Sequence, residues 1–87
     1  MPMKKWWKHM GHIQEEVRGW TVQYTPQYWP PQQIITHLAE EVGEVSREIN
    51  HIHGVKKEKP GESRRALGSE LADVVFTLAC LADSHRI

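Results

Sequence analysis

Glu41 and Glu44 stand three residues apart, and Glu70 and Asp73 repeat that spacing. Residues so spaced share one face of a helix, so each pair presents two acids side by side. The first pair belongs to His37-Leu38-Ala39-Glu40-Glu41-Val42-Gly43-Glu44-Val45-Ser46-Arg47-Glu48, a stretch that must also supply core. The second interrupts Leu67-Gly68-Ser69-Glu70-Leu71-Ala72-Asp73-Val74-Val75, which is otherwise almost wholly apolar. If the two helices form an antiparallel hairpin, the pairs face each other across a groove. Carboxylates crowded into a partly dry groove repel and lose hydration. Magnesium or manganese relieves both penalties, because hard cations prefer oxygen ligands. The plainer alternative is a row of edge-of-core acids that are solvated or paired with lysines. A di-iron bundle is disfavoured: it typically needs Glu-x-x-His ligand sets, and neither pair ends in histidine. An all-carboxylate set suits magnesium and phosphate chemistry better.

The elements that would position these acids are all helical. Ile13, Val17, Trp20 and Tyr24 recur at helical intervals and predict a first helix from His12 to about Tyr24. Thr25-Pro26 breaks it, and Trp29-Pro30-Pro31 leads into a second helix with Pro31 as an early residue. That helix should run from about Pro31 to His53, with Ile35, Leu38, Val42, Val45, Ile49 and Ile52 as its apolar stripe. His37, Glu41, Glu44 and Glu48 form an adjoining polar stripe at the edge of the core. Gly54 suits a C-terminal cap, and Val55 to Glu62 reads as a charged loop. A third helix should start near Ser63, a plausible N-cap, and reach about Ser84. From Leu67 onward it is apolar on nearly every side, as a helix enclosed by others would be. A chain this short cannot enclose it alone. The expected fold is therefore all-α, a helical hairpin-based bundle completed by homo-oligomerisation.

The 87 residues allow one small domain, and 11 basic against 11 acidic residues leave no net charge. That balance argues against a dedicated nucleic-acid binder. The single cysteine, Cys80, rules out a disulfide framework within one chain and favours a reducing, cytoplasmic setting. No stretch is apolar enough to span a membrane.

The run Glu40-Glu41-Val42-Gly43-Glu44, followed by Glu70-Leu71-Ala72-Asp73, resembles the EExxE…ExxD signature of the MazG-like nucleoside triphosphate pyrophosphohydrolases. The resemblance extends from about Ile13 to Ile87, through the Trp-Pro linker, the His-rich end of helix two and the Leu-Ala-rich third helix. It implies an all-α dimer or dimer of dimers that uses magnesium. The implied reaction splits a nucleoside triphosphate between its α and β phosphates, giving the monophosphate and pyrophosphate. The family's metal-ligand roles fall on Glu41, Glu44, Glu70 and Asp73. Glu40 matches the first glutamate of the signature and takes a supporting catalytic role beside Glu41, ordering water or a lysine. Trp29 is a candidate for stacking on the base, and His37 for touching phosphate. Family members continue into a further helix, so residues 12–87 are expected to form a MazG-like domain lacking it, after an extension over 1–11. The competing reading is a non-catalytic helical association module that retains the acidic groove.

Overall fold

The computed structural model describes residues 9–54 and 60–87, apart from the side chains of 60, 61 and 63. The N-terminal Trp6 and Trp7 and most of the expected charged loop lie outside the described residues. Three helices follow in order: α1 (Gly11–Thr21), α2 (Pro31–His53) and α3 (Pro60–Ser84).

Prolines set two of the starts. Pro30 is extended (ψ 145°) and Pro31 occupies the first turn of α2, where its missing N–H costs nothing and its fixed φ suits the helix. Backbone N–H groups of Gln33 and Ile34 close back onto the Pro30 carbonyl. For α3 the observed start is Pro60, ahead of the expected Ser63. Proline is again tolerated in a first turn, and Glu62 there complements the helix dipole. At the end of α2 the Gly54 N–H reaches the Asn50 carbonyl, with φ at −84°. The cap is therefore not left-handed. A glycine is needed because a β-carbon would run into that Asn50 oxygen.

α3 packs against both α1 and α2. The registers descend: Tyr28 meets Asp83, and Glu41 meets Glu70 and Asp73, so α2 and α3 run antiparallel. Gln14 reaches Asp83 and Trp20 meets Phe76, which makes α1 antiparallel to α3 as well. Val17, Ala79 and Cys80 form the core, with Tyr28 against it and Ile34 also buried.

The inward faces differ from the expected stripes. In α1 the buried residues are Gln14, Val17 and Thr21, whereas Ile13, Trp20 and Tyr24 are exposed. Gln14 and Thr21 tolerate burial because each is hydrogen-bonded, Gln14 to Asp83 and the Ile87 carbonyl, Thr21 to Gln27 and the Arg18 carbonyl. In α2, Ile34 is buried while Ile35, Val42 and Ile49 are 52%, 52% and 40% exposed. The positions of α2 that are not exposed are Ile34, His37, Leu38, Glu41, Glu44, Val45, Glu48, His51 and Ile52. The apolar arc of α2 is wider than one neighbour can cover, and α3 takes the side that carries Glu41 and Glu48. Leu71, Phe76 and Leu78 of α3 also remain partly exposed.

Asp83 holds α1, α3 and the α1–α2 linker together. Its side chain is 2% exposed. One oxygen accepts from Gln14 Nε2 and Arg18 Nη2, each at 3.1 Å, and the other accepts from the Tyr28 hydroxyl at 3.3 Å. A buried carboxylate with an ion-pair partner and two further donors is satisfied rather than strained.

Candidate metal centre

Antiparallel packing of α2 on α3 brings one acid of the first pair against both acids of the second. Carboxylate oxygens of Glu41, Glu70 and Asp73 all lie within 4.8 Å of one another. Glu44 is not in that triplet. It lies one turn along α2, with Oε2 3.5 Å from Arg47 Nη1. Its charge is nonetheless felt at Glu70.

The Glu41 side chain is 15% exposed. Its Oε1 lies 3.5 Å from His37 Nε2, and its Oε2 is buried without a hydrogen-bond partner. Buried acceptors normally find a donor, so this orphan oxygen needs an external one. Among the described residues no lysine or arginine forms an ion pair with Glu41, Glu70 or Asp73. The donor set is hard oxygen alone, and a divalent cation fits it.

Repulsion inside the cluster registers on Glu70. Partial burial, then the charges of Glu41, Asp73, Glu44 and Glu48, hold its carboxyl above the ordinary value of 4.5. Between the ordinary and the raised value the folded chain keeps a proton that the unfolded chain has released. Stability of the cation-free protein should therefore fall as pH rises through that window. Glu70→Gln removes the dependence. In chelator at neutral pH the variant should melt above the parent, with the gap closing below the ordinary carboxylate range. Thermal melts followed by circular dichroism across pH test this; a variant melting lower at neutral pH would contradict the repulsion.

His37 joins the cluster to a second feature. Its Nδ1 lies 3.8 Å from the exposed Glu40, and its ring stands edge-on to Trp29 at 5.5 Å. Trp29 and His37 both line a cavity of about 380 Å³ between the α1–α2 linker and α3. Trp20, Tyr24 and Phe76 contribute aromatic wall, with Trp20 at 5.1 Å from Tyr24 and 5.6 Å from Phe76. The structure thus places Trp29 and His37 at an aromatic cavity and His37 also at the acids, with Glu40 on the outer side.

Glu48, which spacing placed in the polar stripe without a role at the site, is 8% exposed, bonded to His51 Nδ1 at 3.3 Å, and its charge reaches Glu70. Gln27, Tyr28 and Phe76 line the cavity from a linker and a distant helix, and no local pattern marks them.

Comparison with known proteins agrees with this geometry. The family model of the MazG nucleotide pyrophosphohydrolase domain matches residues 30–86. YpjD of Bacillus subtilis (strain 168) is 40% identical over 80 residues, covering 92% of this chain and 72% of its own length. The crystal structure of YpjD from Bacillus subtilis superposes with a TM-score of 0.79 at 40% identity, over 90% of this chain and 80% of that one. A Bacillus-conserved MazG protein, described as a nucleotide pyrophosphohydrolase, superposes with a TM-score of 0.75 at 36% identity, over 90% of this chain and 74% of its own. No described helix is long and apolar enough to cross a membrane.

Proposed function

Because this chain belongs to the MazG nucleotide pyrophosphohydrolase family, we propose that it hydrolyses nucleoside triphosphates between the α and β phosphates in a magnesium-dependent reaction. The observation that carries this reading is the convergence of Glu70 and Asp73 on a Glu41 carboxylate with a buried, unpartnered oxygen. Glu41, Glu70 and Asp73 would hold the cation, with Glu44 within electrostatic reach as a further ligand. The cation, when bound, neutralises phosphoryl charge and makes water more acidic.

The chain's own residues supply the remaining work. His37, between Glu40 and Glu41, is placed to meet a phosphate oxygen at the junction of acids and cavity. Glu40, largely exposed, supports an attacking water from the outer side. Water attacks the α-phosphorus, the bond from that phosphorus to the α–β bridging oxygen breaks, and a cluster carboxylate takes the water's proton. Pyrophosphate and the nucleoside monophosphate result. Trp29 offers a flat face to the base from the cavity wall.

The exposed line of Ile35, Val42 and Ile49 supports assembly as a homodimer or dimer of dimers. One unpartnered apolar line along a long helix is what a second bundle would cover. The parent should elute as a dimer or larger in size-exclusion chromatography with light scattering, and Val42→Glu should shift it towards monomer. A monomeric parent would remove this part of the proposal.

Purified protein incubated with magnesium and a panel of nucleoside triphosphates should release pyrophosphate and monophosphate in equal amounts. Orthophosphate release, or no turnover with magnesium or manganese, would sink the reading. Cation binding without turnover would point to the association module instead.

A further inference from the structure

Beside the aromatic cavity a chain of hydrogen bonds is best satisfied in one direction. Asp83 is ion-paired with Arg18 at 3.1 Å and is almost fully buried. The Tyr28 hydroxyl, 3.3 Å from the second Asp83 oxygen, must donate its hydrogen there, because two oxygens facing each other without a hydrogen between them repel. Its lone pairs then face Gln27, whose N–H and not its oxygen can satisfy them. Gln27 Nε2 accordingly donates to the Tyr28 oxygen at 3.3 Å and to Thr21 Oγ1 at 3.2 Å. The Thr21 hydrogen is itself spent on the Arg18 carbonyl at 3.3 Å.

Both amide hydrogens of Gln27 are thus committed, and a flipped amide would set Gln27 Oε1 against the Tyr28 oxygen while that hydroxyl donates to Asp83. What remains is Gln27 Oε1. It makes no hydrogen bond among the described residues, and it is not sealed from solvent, since the only sealed, unpartnered side-chain oxygen or nitrogen among them is Glu41 Oε2. Gln27 lines the same cavity as Trp29 and His37. Around this oxygen the Tyr28 and Thr21 hydroxyls have no hydrogen left to offer a carbonyl.

We infer that Gln27 Oε1 is a specificity acceptor that selects nucleotides whose base carries an exocyclic amino group, cytosine or adenine, over their keto counterparts, uracil or hypoxanthine. This rests on the reading of the cavity as the base end of a nucleotide site. An amino N–H meets the oxygen productively. A keto oxygen in the same place sets lone pair against lone pair and leaves two acceptors unsatisfied on binding. Tyr28 and Asp83 act as positioning residues: their hydrogen bonds set which end of the amide is left to meet a base.

The test compares matched pairs by isothermal titration calorimetry in the presence of magnesium: cytidine against uridine 5′-monophosphate, and adenosine against inosine 5′-monophosphate. The parent should bind the amino member of each pair about tenfold more tightly or better. Gln27→Leu should collapse both ratios towards one. Tyr28→Phe frees the amide to turn its N–H outward and should shrink the ratios by strengthening the keto members, which a merely structural defect would not do. Equal affinities within the parent's pairs, ratios unchanged in Gln27→Leu, or no monophosphate binding would each overturn the inference. Should Gln27→Leu misfold, the parent's ratios and Tyr28→Phe still decide it. Amino-selective binding without pyrophosphate release would remove the proposed hydrolysis and leave this inference standing; release with no base preference would do the reverse.

Discussion

Glu41→Gln should lower pyrophosphate release by more than about a hundredfold, since loss of partners that merely support a metal ligand already costs on the order of 10–100-fold. Glutamine keeps the shape of the side chain and removes one charge from a triplet whose oxygens lie within 4.8 Å of one another. It also replaces one carboxylate oxygen with an N–H₂ group, which cannot ligate a cation. The change should not harm the fold. One Glu41 oxygen is buried without a partner, so the parent already carries the cost of an unsolvated charge that the variant relieves. The expected combination is a helical, folded protein with weakened magnesium binding in calorimetry and almost no turnover. Asp73→Asn should behave alike in turnover, with less effect on cation-free stability because Asp73 is exposed. Retention of both cation affinity and activity in Glu41→Gln would remove Glu41 from the site.

Asp83→Ala should be the most destabilising single change among the described polar residues. It strips the acceptor from Gln14, Arg18 and the Tyr28 hydroxyl at once. Arg18 is half exposed and can turn to water, so its share is small. Gln14 is buried and Tyr28 is partly so, and unpaired donors there cost about 2 kcal/mol together. For a domain of this size that corresponds to a fall in melting temperature of roughly 10 °C. Asp83→Asn should cost less, because an amide oxygen still accepts. A melting temperature unchanged in Asp83→Ala would mean that the linker is held by apolar contacts alone.

The helices and the acid pairs were legible in the chain because both depend on local spacing. Proline at Pro31 and glycine at Gly54 mark the ends of α2 by backbone restrictions acting within a few residues. Equal spacing in Glu41/Glu44 and Glu70/Asp73 places each pair on one helical face whatever the helix packs against. Which member meets which across the hairpin is another matter. A one-residue rotation of α2 separates burying Ile34 from burying Ile35, and periodicity favours Ile35, whose heptad continues as Val42 and Ile49, whereas that of Ile34 continues as Glu41 and Glu48.

Tertiary packing made that choice, and with it the geometry of the site. α3 covers the side of α2 bearing Glu41 and Glu48, which turns Glu41 inward, leaves Glu44 beside Arg47 and puts the Ile35–Val42–Ile49 line outside. The same packing rotates α1 so that polar Gln14 and Thr21 are buried, because Asp83 and Gln27 supply their partners from 69 and 6 residues away. Helix propensity and side-chain spacing are local, and they were enough to specify an all-helical chain with its acids in two pairs. Which three acids converge, and which partners hold Gln27 Nε2, came from packing between distant segments.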